Sequence, residues 1–180
     1  MSYKQVLRIF SVVLISILLT SVLGVSAQDA DGDGRGGRLV VNDASSNTSL
    51  DPFVTSWHSW PHYAIYSTLF SRDENLDYVG YLADTWEVSE DGTALTINLI
   101  ETAMFTDGTP VDAAAVKWNL DQYADPESSA SQGADLRGLL TAVEVTGDYS
   151  LTLHLASAYA PLFYTLSGLE IVSPTAYEEL

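Results

Sequence analysis

The sequence predicts a fold that mixes helices and strands, of the α/β or α+β class. Two stretches, 84–100 and 142–155, alternate apolar and polar residues on both sides of a turn that contains glycine, which is typical of β-hairpins. Between them, residues 113–124 have apolar side chains three or four positions apart, which predicts a helix. Because 47% of the 180 residues are apolar, the chain can build one domain with a hydrophobic core.

The first 27 residues predict a signal peptide. Lys4 and Arg8 supply positive charge, residues 9–27 are uncharged, and residues 25–27 (Val-Ser-Ala) form a small-residue cleavage pattern. An uncleaved anchor is the alternative, because 19 uncharged residues approach the length of a membrane span. Either way we expect the rest of the chain to be exported, to the periplasm or the extracellular space. Without any cysteine the chain has no disulfide and no thiol for a lipid anchor.

The exported part is strongly acidic. Residues 1–27 contain two basic residues and no acidic one, so the remainder has five basic and 24 acidic residues and a net charge of −19. Such a surface repels nucleic acid and anionic membranes, and we expect neither as a partner. The high charge also favours a soluble monomer.

Residues 28–38, QDADGDGRGGR, predict a flexible Gly/Asp linker ahead of a folded region at 39–180. The spacing of Asp29, Asp31 and Asp33 resembles the first half of a calcium loop. Val40 stands where the bidentate glutamate belongs, however, so the linker interpretation is preferred.

Several elements are expected outside the two hairpins. A short strand is predicted at 38–43, and a helix with Pro61 in its first turn is predicted to place Tyr63, Tyr66, Leu69 and Phe70 at helical spacing. Of these aromatic side chains, Tyr63 and Tyr66 are expected in the core. Near the end of the chain we expect a short helix, a strand at 169–172 and a helix that starts at Pro174.

The stretch MFTDGTPVDAAAVKWNL at 104–120 raises the question of whether Asp107 is a catalytic carboxylate. Asp107-Gly108 predicts a tight turn with glycine at positive φ, and Asp112 is placed to cap the following helix. Ala115 stands where a capping box would have an acid. The helix is predicted to bury one stripe of side chains: Ala113, Val116, Leu120 and Tyr123.

No catalytic or metal-binding motif is complete. His58 and His62 have the i, i+4 spacing of a helical metal site, but Pro61 lies between them, and His154 is on the polar face of its strand. Nucleophile elbows, phosphate-binding loops and dinucleotide fingerprints do not occur, so no cofactor is expected. A carboxylate pair of the kind that hydrolases use stays open, because two acids need only meet in space.

Seven segments, in order, resemble the extracytoplasmic solute-binding proteins of family 5, the peptide- and nickel-binding components of ABC importers. They are SLDP (49–52), IYSTLF (65–70), YLADTWEVSEDGTALTINL (81–99), FTDGTPVDAAAV (105–116), VEVTGDYSLTLHL (143–155), YAPLF (159–163) and IVSP (171–174). The resemblance covers residues 39–180. It departs from the family pattern at IETAM (100–104), in place of a basic residue and a glycine, and at Ala115, in place of an acid.

The resemblance implies a two-lobed, hinge-bending protein of the type II periplasmic binding protein-like fold, with an extra subdomain on the first lobe. Residues 39–180 are then the N-terminal part of lobe one plus most of that subdomain, the second lobe is absent from this chain, and the chain is the front part of something longer. The implied function is non-enzymatic: it captures peptides or related solutes and delivers them to a membrane permease. A secreted hydrolase and an inactive truncated fragment are the alternatives.

The resemblance also implies which residues face the ligand. The loop after Leu-Asp-Pro faces the ligand in family members, and Thr55 and Ser56 match a Thr-Ser that dipeptide binders have there. Trp57 and His58 are included because they lie in the same loop, where aromatic and hydroxyl groups can line a pocket. The family serves di- and oligopeptides, nickel chelates, haem and some sugars, so the ligand itself stays open.

Overall fold

The computed structural model of the protein describes residues 40–41, 49–54 and 60–179. The chain divides into two units, Met1–Asn42 and Asp43–Leu180. The predicted signal peptide and linker lie outside the described residues. Of the strand predicted at 38–43, only residues 40 and 41 are described, and they are exposed and belong to no strand.

The second unit alternates short helices with antiparallel strands. In chain order it contains α1 (Trp60–Ile65), β1 (Ser67–Thr68), β2 (Phe70–Arg72), β3 (Tyr78–Gly80), β4 (Ala83–Val88), β5 (Ala94–Leu99), α2 (Ala113–Ala124), a 3₁₀ turn (Ala134–Leu136), β6 (Leu140–Gly147), β7 (Ser150–Leu155), α3 (Leu162–Leu166), β8 (Glu170–Ile171) and α4 (Pro174–Glu178). Among the described residues, no helix is both long and apolar enough to cross a membrane.

The two predicted hairpins are confirmed, and together they form a four-stranded antiparallel sheet in the order β4-β5-β7-β6. The inner strands β5 and β7 bury every second side chain, and Leu95 faces Leu153 while Ile97 faces Leu151. Period-two alternation therefore gives the sheet one apolar face, as the sequence predicted. The outer strands β4 and β6 pair less regularly and carry register shifts near Ala83 and near Gly147.

The turn of the first hairpin is built around Asp91. Its carboxylate accepts hydrogen bonds from the Thr93 backbone N–H (3.0 Å), the Thr93 hydroxyl (2.7 Å) and the Ser89 hydroxyl (2.8 Å). These bonds, above all the one from the Thr93 N–H, lower the pKa of Asp91 to about 2. Gly92 has φ +70°, a conformation that favours glycine, so the Asp-Gly pair explains where the chain reverses.

Helix α2 has the predicted bounds, cap and buried face. The Ala115 N–H donates to the Asp112 carboxylate (2.8 Å), and the Ala113 N–H donates to the carbonyl of Asp148 (2.8 Å) in the turn between β6 and β7. The predicted stripe of Ala113, Val116, Leu120 and Tyr123 is fully buried. The helix contacts β6 and β7, and its buried side chains belong to the same hydrophobic core as those of the sheet.

The predicted helix through Phe70 is wrong beyond Ile65. The chain turns extended there, and β1 pairs with β8 while β2 pairs with β3, both antiparallel. Leu69 and Phe70 are still buried, but from extended backbone. Phe70 pairs with Gly80 of β3, and the Leu69 carbonyl accepts hydrogen bonds from the Tyr81 and Ala83 N–H groups, so partners outside a helix satisfy this backbone. Tyr63 is 66% exposed, which contradicts its predicted core position, whereas Tyr66 is half-buried against the core.

The end of the chain follows the prediction. Helix α3, strand β8 and helix α4 occur in the expected order, and Pro174 is the first residue of α4. The Ser173 hydroxyl caps α4 by accepting a hydrogen bond from the Ala176 N–H (3.1 Å). The predicted strand at 169–172 is shorter than expected, since only Glu170 and Ile171 pair with β1.

Candidate functional site

An open, mostly apolar groove of about 680 Å³ lies where the Leu-Asp-Pro segment meets strand β8 and helix α4. Its apolar lining includes Leu50, Leu82, Met104 and Val172, and tyrosines and a few polar groups complete it. Small-molecule sites in proteins combine an apolar wall with a small number of placed polar groups. This groove is therefore the candidate functional site of the described residues.

Asp51 lines the groove and is fixed at both oxygens. Its Oδ1 accepts a hydrogen bond from the Phe53 N–H (2.9 Å), which closes a local turn over Pro52. Its Oδ2 accepts one from the Tyr177 hydroxyl (2.9 Å), which joins the Leu-Asp-Pro segment to helix α4. The carboxylate is thus held in place before any ligand arrives.

Two tyrosine hydroxyls donate hydrogen bonds at this end of the groove. The Tyr66 hydroxyl donates to the carbonyl of Leu50 (2.9 Å), and burial raises the pKa of Tyr66, with further increases from the negative charges of Glu170 and Asp51. Burial also raises the pKa of Tyr177, helped by its hydrogen bond to Asp51 and by the charge of that carboxylate. Each hydroxyl consequently stays protonated and serves as a donor at neutral pH.

Strand β8, one wall of the groove, is held from behind by helix α2. The Asn119 Nδ2 donates to the Val172 carbonyl (2.8 Å) and the Ala115 carbonyl (2.9 Å), and the Val172 N–H donates to Asn119 Oδ1 (2.9 Å). The buried Tyr123 hydroxyl donates to the Glu170 carbonyl (3.1 Å). The sequence analysis missed Asn119, although a lone asparagine beside an apolar helical stripe was a usable signal.

The Asp-Gly turn that raised the question of catalysis is structural. The Asp107 carboxylate accepts hydrogen bonds from the Thr109 N–H (2.8 Å), the Thr109 hydroxyl (2.6 Å) and the Ser173 hydroxyl, and Gly108 has φ +88°. The bond from Ser173, followed by those from Thr109, lowers the pKa of Asp107. Because the Asp107 carboxylate bonds within its own turn and Gly108 has positive φ, the predicted tight turn is confirmed.

The sequence-predicted ligand residues Thr55, Ser56, Trp57 and His58 lie outside the described residues. Their neighbours on the N-terminal side, Asp51 and Pro52, line the groove. The described groove also draws on strand β8 and helix α4, which the sequence analysis did not name as ligand-facing, and the role of the four loop residues stays a prediction.

Two of the three histidines, His62 and His154, are among the described residues. His62 is buried in helix α1, with its ring 6.3 Å from that of Tyr66. His154 lies on the predicted polar face of β7, where its Nε2 is 3.3 Å from the Glu144 carboxylate. Within the part of the chain that the structure describes, no group of three or more His, Cys, Asp or Glu residues is arranged to hold a metal ion.

Two curated proteins illustrate what the chain is similar to. The glutathione-binding protein GsiB of Pectobacterium atrosepticum is 28% identical over 141 residues, and the probable D,D-dipeptide-binding periplasmic protein DdpA of Escherichia coli is 28% identical over 153 residues. The alignments cover 76% and 78% of this chain. The chain spans 27% and 28% of the length of these relatives.

Solved structures show the same fold. NikZ from Campylobacter jejuni, in complex with Ni(L-His), superimposes with a TM-score of 0.69 at 22% identity, over 74% of this chain and 27% of that protein. NikA from Brucella suis, in complex with Fe(III)-EDTA, gives a TM-score of 0.58 at 28% identity, over 70% and 26% of the two chains. Both are periplasmic binding proteins of type II, so the fold class expected from the resemblance is confirmed for the part of that fold that the chain covers.

The family assignment rests on a match that covers most of the strands and helices described above. Residues 77–179, more than half of the chain, match the family described as bacterial extracellular solute-binding proteins, family 5 Middle. This match includes both hairpins, helix α2 and the Asp-Gly turn. The chain belongs to family 5 of the bacterial extracellular solute-binding proteins.

Proposed function

We propose that the chain is an extracytoplasmic solute-binding receptor of an ABC importer, which captures peptides or related small solutes and delivers them to a membrane permease. The family match over residues 77–179 is the observation that carries the proposal. Family members are substrate-binding proteins rather than enzymes, so we propose that this chain binds its solute without converting it. Nothing in the relatives favours the hydrolase alternative.

The groove beside Asp51 is the proposed capture site. Its apolar walls match the body of a small organic solute, and the Asp51 carboxylate and tyrosine hydroxyls can fix the orientation of polar ends. Peptides are the favoured class, because one relative is named for glutathione and another for D,D-dipeptides. We further propose that Thr55, Ser56, Trp57 and His58, which follow Asp51 in the chain, add contacts to the solute.

The remaining features belong to the same proposal. Residues 1–27 act as the export signal, residues 28–38 as a linker, and residues 39–180 as part of a solute-binding domain. The receptor works as a monomer in the periplasm or outside the cell. Capture requires no cofactor.

Calorimetry of the chain with a panel of peptides tests this proposal, with di- and tripeptides, glutathione and the nickel–histidine chelate as probes. We expect saturable binding of at least one peptide and recovery of the peptide unchanged. If every probe fails to bind, or if a peptide is hydrolysed, the receptor proposal is wrong.

A blocking variant places the binding in the groove. Ala176 is exposed on helix α4 and lines the groove, so Ala176→Trp should obstruct it and abolish binding. Its neighbour Thr175 is exposed on the same helix and is not part of the lining, which makes Thr175→Trp the matched control. Equal binding by both variants would place the solute elsewhere.

A further inference from the structure

Met104 is exposed in the wall of the groove. It lies between β5 and α2, is 58% exposed, and is one of the residues that line the mostly apolar groove. Its backbone is held on both sides, because Met104 pairs with Pro110 in an antiparallel bridge and the Phe105 N–H donates to the Thr109 carbonyl (2.8 Å). The side chain is therefore presented to solvent from a fixed position.

Met104 also contains the single sulfur atom of residues 2–180. The sequence has two methionines, Met1 and Met104, and no cysteine. Met1 belongs to the predicted signal peptide, so we expect the exported part of the chain to keep Met104 alone. Oxidants convert sulfur-containing side chains stepwise, cysteine to its oxyacids and methionine to its sulfoxide. Oxidation of the exported protein at sulfur is therefore confined to this one residue of the groove.

The reaction needs a peroxide as its co-reactant. A lone pair of the Met104 Sδ attacks one oxygen of hydrogen peroxide, an S–O bond forms, and the O–O bond breaks. The departing hydroxide takes the proton of the new S–OH group and leaves as water. The thioether has then lost two electrons and become a sulfoxide, which is polar where the thioether was apolar.

A sulfoxide at this position opposes the binding of an apolar solute. In the free groove water solvates the sulfoxide oxygen, because Met104 is more than half exposed. A solute that lies against the wall displaces that water, and burying a polar group without a hydrogen-bond partner costs free energy. The hydroxyl protons of Tyr66 and Tyr177, two donors in the lining, are already used within the protein.

We propose that Met104 is an oxidation site, and that its oxidation by peroxides lowers the affinity of the groove for apolar solutes. This inference rests on the proposed function of the groove as the capture site. Methionine sulfoxide reductases return the sulfoxide to the thioether, so the modification is reversible. Reduced protein captures apolar solutes, and oxidised protein releases them more readily.

The modification itself is tested without any solute. The full chain is treated with hydrogen peroxide, and mass spectrometry of its peptides measures the gain of one oxygen at Met104. N-acetyl-methionine amide in the same solution is the reference for a fully exposed thioether. Because Met104 is 58% exposed, we expect its oxidation rate to lie within about fivefold of the reference. If Met104 stays reduced while the reference is consumed, the inference is overturned.

The effect on capture is measured by calorimetry with Leu-Leu-Leu amide and a set of apolar di- and tripeptides. Oxidation should raise Kd by about three- to thirtyfold, the range expected for burying one polar group without a partner. Treatment with methionine sulfoxide reductase should restore the original Kd. A saturating peptide should also slow the oxidation of Met104, because it covers the side chain.

Two variants assign the effect to this position. Met104→Leu has no sulfur, so its Kd, whatever its value, should be the same before and after peroxide. Leu76 is 69% exposed on the turn between β2 and β3 and is not among the residues that line the groove. Adding Leu76→Met to Met104→Leu moves the methionine to that turn, where its oxidation should leave Kd unchanged. Circular dichroism melting shows whether each variant is folded.

The possible results separate this inference from the proposed function. If oxidised and reduced protein bind with the same Kd, and Ala176→Trp abolishes binding by both, the oxidation inference is overturned while the groove remains a capture site. If peroxide weakens binding by Met104→Leu as much as by the wild type, the inference is also overturned. If the untreated protein binds no peptide of a wide panel although Met104 oxidises at the expected rate, the proposed function fails, and the inference fails with it.

Discussion

The Ser173 hydroxyl donates a hydrogen bond to the Asp107 carboxylate across 66 positions of the chain. Each partner also organises its own segment, since Asp107 accepts from the Thr109 N–H and Ser173 accepts from the Ala176 N–H. The bond therefore joins the Asp-Gly turn to the start of helix α4, which forms one wall of the groove. This contact gives Asp107 a structural role, so a catalytic role is not needed to explain its place in the sequence.

Asp107→Asn should leave solute affinity within about twofold, because the side chain supports the turn and does not line the groove. We expect a lower melting temperature, since the amide is a weaker acceptor for the hydroxyls of Ser173 and Thr109 than the carboxylate. Calorimetry with a bound peptide and thermal denaturation measure the two effects. A large loss of solute affinity in a folded variant would contradict this and would indicate that Asp107 contacts the solute.

Asp112→Ala should lower the free energy of unfolding by about 1 kcal/mol, the usual cost of removing a helix N-cap. Urea denaturation followed by circular dichroism measures it. Asp121→Ala is the matched control, because it removes an acid from the same helix and breaks only the exposed pair with Lys117. An equal loss of unfolding free energy in the two variants would show that the Asp112 cap does not stabilise the helix beyond an ordinary surface residue.

Asn119→Ala should be far more damaging, at about 2–4 kcal/mol, because it leaves the buried N–H and carbonyl of Val172 without their partner. Asn98→Ala provides the comparison, since the Asn98 amide makes an exposed bond to the Thr85 hydroxyl (2.9 Å). We expect that control to cost less than about 0.5 kcal/mol. Similar unfolding free energies for the two variants would contradict the assigned role of Asn119.

Asp91 should contribute to stability in a pH-dependent way. Its folded pKa of about 2 lies below the unfolded value of about 4, so its contribution is full above pH 4 and is lost as the pH falls towards 2. Urea denaturation of wild type and Asp91→Asn at pH 6, 4, 3 and 2 measures the difference. The gap between the two proteins should narrow over that window, and a constant gap would show that the carboxylate charge is irrelevant.

Much of the fold was predictable, because its signals are local. Period-two alternation with an Asp-Gly turn gave the first hairpin, and an aspartate before an alanine-rich stripe gave the capped helix α2. The segment after Ile65 was not predictable in this way. Its apolar spacing fits a helix, whereas its first strand, β1, pairs with β8 about 100 positions away.

The candidate site was harder to predict, because it is formed by hydrogen bonds between residues that are far apart in the sequence. The sequence pointed to the loop after Leu-Asp-Pro, and its choice of Thr55, Ser56, Trp57 and His58 stays a prediction. The bond between Asp51 and Tyr177 joins residues 126 positions apart, and no spacing rule relates them. Asn119 was missed for the same reason, because its partner Val172 lies 53 positions away, directly after strand β8.

The irregular outer strands of the four-stranded sheet have a consequence for self-association. Among the described residues, strands β4 and β6 each have a neighbour on one side only, which leaves one row of backbone groups that another copy of the chain could pair with. Their register shifts make those rows uneven, and their exposed side chains include Asp84, Glu87 and Glu144. Two such edges repel each other and match poorly, so a concentrated solution of this acidic protein should resist the edge-to-edge stacking that leads to fibres.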